Sequence, residues 1–204
     1  MTATTRHATL GDAAVLMLEF ARQPSLVGAL APSSRRLATA VTATIPHDGD
    51  PVVVELGPGT GAFTEAIQAR LGPRGRHIAV ELNPRLATLT ASRHRGVEMV
   101  HASADTLPQI LADRGIAHAD FIVSGLPWVS MPAPVAEATL DAARSVLAPG
   151  GAFTTFGYTL VRGFAPGRRF RRMLVSRFEE VVASRAVIRN LPPAFVYYAR
   201  RPRL

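Results

Sequence analysis

The run Val54-Glu55-Leu56-Gly57-Pro58-Gly59-Thr60-Gly61 constrains this chain more than any other stretch. Ahead of it stand Val52 and Val53. Consecutive β-branched residues suit a parallel strand buried on both faces. Behind it, Ala62-Phe63-Thr64-Glu65-Ala66-Ile67 opens a helical pattern. Strand, glycine turn and helix make the first half of a nucleotide-binding βαβ unit, which commits the chain to a parallel sheet with crossover helices.

The spacing is G-x-G-x-G rather than the dinucleotide G-x-G-x-x-G. A carboxylate at Glu55 would repel a pyrophosphate but attract a ligand carrying a sulfonium and an ammonium. That charge argument favours S-adenosylmethionine over NAD. A glycine cluster that merely turns the chain is the alternative, so the other strand ends are the test, because ligands of open α/β sheets lie beyond the carboxyl ends of the strands. The second strand ends at Glu81-Leu82, at about the distance from the loop (~20 residues) expected of an acidic residue that accepts ribose hydroxyls. The third is followed by Ala104-Asp105, whose carboxylate would accept the adenine amino group. The fourth ends in Ser124-Gly125, where the methyl group would be presented. Three acidic residues in the right loops and in chain order argue for a ligand site.

Strands are expected at 51–56, 76–81, 97–101, 119–124 and 151–157, and helices at 62–71, 84–93, 106–113 and 133–147. Val181–Arg189 and Ala194–Arg200 flank Asn190-Leu191-Pro192-Pro193, a short connection that suits an antiparallel pair. The fold class is therefore α/β, a doubly wound, mostly parallel sheet with N-terminal helices and a closing C-terminal hairpin. Ahead of the core, Ala13–Arg22 reads as an apolar helix. A second helix starts from a Ser33 or Ser34 cap and runs to Thr44. Residues 1–50 are thus expected to form a helical lid or membrane-contacting segment, and 51–204 the cofactor-binding domain.

At 204 residues, 48% hydrophobic and 19% charged, the chain suits one folded domain. It has no cysteine, which excludes disulfides and thiolate metal sites, and no metal is expected. The net charge of +8 rests wholly on arginine, since lysine is absent. Such a balance favours an anionic partner: nucleic acid, an acidic lipid surface or an acidic substrate. A high-GC coding bias would also replace lysine by arginine. No apolar run approaches the ~20 residues of a membrane span, and no export signal is read at the start. The expected compartment is cytoplasmic, at the inner membrane face if the acceptor is a lipid.

Glu55, the three loop glycines, Glu81 and Asp105 resemble the motifs of class I S-adenosylmethionine-dependent methyltransferases, over roughly residues 51–200. The resemblance implies a seven-stranded sheet with an antiparallel final strand. It gives cofactor roles to Glu55, Gly57, Gly59, Thr60, Gly61, Glu81, Leu82, Ala104, Asp105, Ser124 and Gly125.

For the acceptor, methyltransferases of adenine carry Asn/Asp-x-Pro-aromatic after the fourth strand. Here Gly125-Leu126-Pro127-Trp128 offers no side-chain acceptor. Phe20–Pro24, Val27–Ala38, the Glu-Leu-Gly-Pro-Gly-Thr-Gly loop, Ser124–Pro127 and Asn190–Ala194 are similar to bacterial phospholipid N-methyltransferases. That resemblance implies methylation of the amine of phosphatidylethanolamine-type phospholipid. A soluble small-molecule amine and rRNA adenine are the alternatives. Tyr158 and Trp128 are the expected contacts to the amine, by hydroxyl or ring face, with His101 and His118 behind them. Arg162, Arg168, Arg169, Arg171, Arg172 and Arg177 would hold an anionic leaflet or RNA phosphates, or form a solvated helix face in a region that opens as a loop.

Overall fold

The computed structural model describes residues 33–203. The strands are β1 (Val52–Leu56), β2 (Arg76–Glu81), β3 (Glu98–His101), β4 (Ala119–Ser124), β5 (Leu147–Tyr158), β6 (Phe178–Ala183) and β7 (Ala194–Pro202). They form one sheet in the order β3-β2-β1-β4-β5-β7-β6. Strands β1 to β5 run parallel, and β7 runs antiparallel to both of its neighbours. The chain winds outward from β1 through β2 to β3, then returns to place β4 on the other side of β1. A crevice opens at such a reversal, beyond the carboxyl ends of the strands.

Six α-helices accompany the strands among the described residues: α1 (Arg35–Val41), α2 (Ala62–Leu71), α3 (Pro84–Arg93), α4 (Leu107–Ala112), α5 (Ala133–Val146) and α6 (Ala165–Arg177). Their starts are written in the sequence. The Ser34 hydroxyl accepts from the Leu37 N–H, and the Asn83 side chain caps α3 by accepting from Arg85 and Leu86 N–H, with Pro84 in the first turn. The two faces of the sheet carry separate apolar clusters. Val54, Ile78, Phe153 and Phe195 meet Leu107, Leu140, Phe170 and Leu174 on one face. On the other, Val53, Val123 and Val196 meet Leu37, Val41, Phe63 and Ile67. Adjacent Val53 and Val54 thus point to opposite cores, as strand pleating requires. Each such aliphatic side chain contributes about 1.5–3 kcal/mol by leaving water.

The expected doubly wound sheet and its antiparallel closure are present. Three local readings change. First, α1 lies on the sheet: Leu37, Val41 and Ile45 are fully buried in the same cluster as Phe63 and Ile67, so residues 34–45 belong to the core of the domain. The expected helix at 13–22 lies outside the described residues. Second, the arginine-rich stretch is helical from Ala165, with Pro166 in the first turn, where its missing N–H costs nothing. Third, the closing strands are not joined by a short hairpin. Strand β6 runs over 178–183 rather than 181–189, and residues 184–193 connect it to β7. The ladder stops where the Ser184 hydroxyl takes the Val196 N–H, leaving only a bridge from Val187 to Ala194 beyond it.

Candidate active site

The glycine loop turns directly off β1 into α2. Gly57, Gly59 and Gly61 all adopt positive φ (69°, 57° and 96°), a backbone that side chains with a Cβ rarely accept. The loop is held from three sides. Gly57 N–H donates to the Val80 carbonyl at 2.9 Å. The Thr90 hydroxyl of α3 donates to the Gly59 carbonyl at 2.7 Å, and Gly59 N–H donates to Glu81 Oε2 at 3.1 Å. Glu81 Oε1 meanwhile accepts the Asn83 N–H at 2.9 Å. A carboxylate has about four acceptor positions, so Glu81 retains capacity for two hydroxyls. Next to it Leu82 is 69% exposed, an apolar surface at the mouth of the crevice. His101 Nε2 lies 3.1 Å from the Leu82 carbonyl and steadies that turn. His118 is exposed at the start of β4, at the opposite edge of the sheet.

Glu55 meets different surroundings. It is fully buried on the α2 side of β1. Its Oε2 accepts the Thr64 hydroxyl at 2.8 Å and lies 3.1 Å from His77 Nε2. Gln68 Nε2 donates to the Gly96 carbonyl and lies 2.8 Å from His77 Nδ1. With its amide so oriented, Gln68 donates to Nδ1, which makes Nε2–H the donor to Glu55. Glu55 Oε1 has no hydrogen-bond partner among the described residues, although it is buried. An unpartnered carboxylate oxygen beneath the glycine loop suits a neighbouring cationic ligand group.

Beyond β3, Ala104, Asp105 and Thr106 form a short 3-10 turn with Asp105 exposed. Thr60 is exposed at the tip of the glycine loop. Ser124 and Gly125 close the crevice from β4. Gly125 N–H donates to the Leu56 carbonyl at 2.8 Å, and a Cβ at Gly125 would lie 2.5 Å from the Gly57 carbonyl oxygen. The two loops therefore touch backbone to backbone, and a side chain at 125 would force them apart. That contact is the physical reason for glycine where adenine methyltransferases carry Asn or Asp.

The two expected amine contacts part company. Tyr158 ends β5 at the carboxyl edge, half-buried with its ring edge-on to Phe156 at 5.6 Å. Burial pushes its phenol above the usual tyrosine range. Its hydroxyl therefore stays protonated at neutral pH and is able to donate a hydrogen bond. Trp128 is not brought to the crevice. It is 2% exposed, stacked on Phe170 at 5.1 Å and hydrogen-bonded through Nε1 to Ser124 Oγ at 3.1 Å. The aromatic ring expected to face the acceptor is a core residue that braces the β4 loop from behind. Ser124 Oγ is committed to the same brace, which leaves the backbone of Ser124 and Gly125 to face a ligand.

Thr64, Gln68, His77 and Thr90 join these residues without a motif that singles them out in the sequence. The first three surround Glu55, and a polar residue on α2 facing a strand-end glutamate is a signal that helical periodicity could have exposed.

A methyltransferase-domain family matches residues 53–151. An ornithine lipid N-methyltransferase of Singulisphaera acidiphila is 37% identical over 89% of this chain and 92% of its own length. This chain is a class I S-adenosylmethionine-dependent methyltransferase. Among solved structures, an O-methyltransferase from Bacillus cereus in complex with S-adenosylhomocysteine shares the fold, with a TM-score of 0.66 and 17% identity over 98% of this chain and 93% of that one. So does fibrillarin from Aeropyrum pernix, which holds natively bound S-adenosylmethionine, with a TM-score of 0.59 and 17% identity over 80% of this chain and 74% of that one. The cofactor of the methyltransferase is S-adenosylmethionine. The residues present fit it: spare acceptor positions on Glu81 would receive its ribose hydroxyls, the exposed Leu82 and Asp105 would offer an apolar face and an acceptor to its adenine, and Glu55, buried beneath the glycine loop with one oxygen unpartnered, would attract its ammonium from below.

Proposed function

We propose that this methyltransferase methylates the head-group amine of a membrane lipid. The observation that carries the reading is the 37% identity to an ornithine lipid N-methyltransferase across nearly the whole of both chains. Phosphatidylethanolamine is the acceptor expected from the sequence, and ornithine lipid is the one named for the relative. Both present a primary amine close to an anionic group. The close contact between Gly125 and Gly57 further supports an acceptor other than adenine, since the loop carries no side-chain acceptor for a planar base amine.

Bound in the crevice, S-adenosylmethionine would supply an electrophilic sulfonium methyl, its sulfur keeping the carbon–sulfur electron pair when the methyl passes to an amine lone pair. The protein's contribution is positioning and exclusion of water. Glu81 would hold the ribose end of the cofactor and the glycine loop above Glu55 its methionine end, and the backbone at Ser124–Gly125 would border the transfer point. A lipid ammonium must lose a proton before its nitrogen has a lone pair. Tyr158 remains protonated, so it orients the amine through its hydroxyl or ring face and the proton leaves to water.

The test is to incubate the full chain with labelled cofactor and, separately, vesicles of phosphatidylethanolamine, vesicles of ornithine lipid, rRNA and a panel of small soluble amines. Label is expected in one or both lipids. Label confined to RNA or to a soluble amine would overturn the lipid reading.

A further inference from the structure

We propose that the connection between β6 and β7, together with the start of α1, is the face this enzyme lays on an anionic bilayer. The inference rests on the lipid acceptor proposed above, but its observations are separate. Residues 184–193 carry Ile188 and Leu191, which are 78% and 83% exposed, more than any other large apolar side chain among the described residues. Single exposed apolar residues are ordinary. These two differ in that the segment holding them is tightly built. Asn190 is buried, accepts the Ser34 N–H through Oδ1 at 2.9 Å and donates through Nδ2 to the Pro192 carbonyl at 2.7 Å. Val187 N–H donates to the Ala194 carbonyl at 2.6 Å, while Thr159 donates to the Pro193 carbonyl through both its N–H and its hydroxyl. The backbone is fixed, and the two apolar tips are held out into solvent from it.

Charge complementarity identifies the partner. Arg185 and Arg189 are exposed on the same segment, and Arg35 and Arg36 are exposed at the start of α1. Arg36 and Arg189 line one cleft with Val187 and Ile188. Residues 184–193 contain no acidic side chain, and none of these four arginines is ion-paired among the described residues. Apolar tips set among unpaired guanidinium groups match a surface that is anionic at the phosphates and apolar just beneath.

Position supports the same partner. Val187 bridges Ala194, which pairs with Tyr158 at the end of β5. Two strand spacings, about 10 Å, thus separate the segment from the expected amine contact. A bilayer seated on Ile188 and Leu191 would bring its head groups level with the crevice. The arginines of α6 sit less well. Arg177 is tied to Asp141, and Arg169 turns inward to the Met131 carbonyl. Arg171 and Arg172 lie midway along a helix that runs down the flank of the sheet toward its opposite edge.

The experiment is sedimentation of the full chain with phosphatidylcholine vesicles made with and without phosphatidylglycerol. The wild type is expected to bind only the anionic vesicles. Ile188→Asp/Leu191→Asp and Arg185→Gln/Arg189→Gln are each expected to cut that partitioning by about tenfold or more, with cofactor affinity by calorimetry and methylation of a short-chain, water-soluble acceptor unchanged. Arg171→Gln/Arg172→Gln should have a much smaller effect. Failure of the wild type to bind, wild-type partitioning by both segment variants, or loss confined to the α6 variant would each overturn the proposal. Segment-dependent vesicle binding without methylation of any lipid would leave this surface standing and sink the acceptor. Lipid methylation with segment-independent binding would do the reverse.

Discussion

At the residue scale, Glu55, one residue before the end of β1, and Glu81, the last of the adjacent parallel β2, meet different surroundings. Glu81 lies at the rim, holds two backbone amides and has acceptor capacity to spare. Glu81→Ala is expected to weaken S-adenosylmethionine binding by roughly 2 kcal/mol, or about thirtyfold, through lost charge-assisted hydrogen bonds. Calorimetry reads that loss, and a thermal melt should show the fold retained. Glu55 is sealed inside, so its donors matter for stability as well. Thr64→Val removes one donor from a buried carboxylate and should cost about 1–3 kcal/mol in urea unfolding. Tyr158→Phe removes a hydrogen-bond donor from the acceptor side and is expected to lower kcat/KM by about tenfold, near the worth of one hydrogen bond. Burial raises the phenol, so it is protonated throughout the neutral range. The pH–rate profile of the phenylalanine variant should therefore keep the wild-type shape, rising as the acceptor amine deprotonates. A profile that loses its rising limb in the variant would make Tyr158 the base.

At the element scale, the strand–loop–helix unit from Val52 to Leu71 was legible because every local signal agreed: β-branched strand, glycines at positive φ, then helical periodicity. The strand-end order of Glu55, Glu81 and Asp105 was legible for the same reason, since topology alone delivers strand ends to one edge. Trp128 was not. Nothing local to Leu126-Pro127-Trp128 tells whether the ring faces the crevice or turns back, and the deciding contact is Phe170 on α6, far away in sequence. The bounds of the closing hairpin were hidden for a similar reason. Val181–Arg189 has the composition of a strand, but the ladder breaks at Ser184, and the Asn190 side chain is drawn to Ser34 near the other end of the chain. Gly125→Ala belongs to this scale. Its Cβ would press on the Gly57 carbonyl, so cofactor affinity should fall although residue 125 carries no ligand-binding side chain. Unchanged affinity would show that the two loops separate freely.

At the scale of the whole molecule, the two edges of the sheet are divided by task. The carboxyl edge collects the glycine loop, Glu81, Asp105, Gly125, Tyr158 and the 184–193 segment. The amino edge is fastened by charge: Arg177 grips Asp141 of α5 with two hydrogen bonds, at 2.9 and 2.8 Å. Those bonds hold the Asp141 carboxyl below its ordinary range, against a smaller upward push from burial. A depressed folded value means the stabilisation is present above the unfolded value near 4 and fades as pH falls through the folded one. The pair is half-exposed, so its worth is under about 1 kcal/mol. Asp141→Asn should lower the melting temperature slightly at neutral pH and converge on the wild type in acid, which a series of melts from neutral to acidic buffer would measure.

Trp128, the chain's single tryptophan, has one further consequence. Its indole is shut away from water between Phe153 and Phe170, and its N–H is bound to Ser124 at the end of β4, the strand end proposed to border the methyl-transfer point. The enzyme thus carries a built-in optical gauge behind its active site. Its emission should be blue in the folded state, turn red on unfolding, and follow any loosening of the β4 loop during turnover without an attached dye.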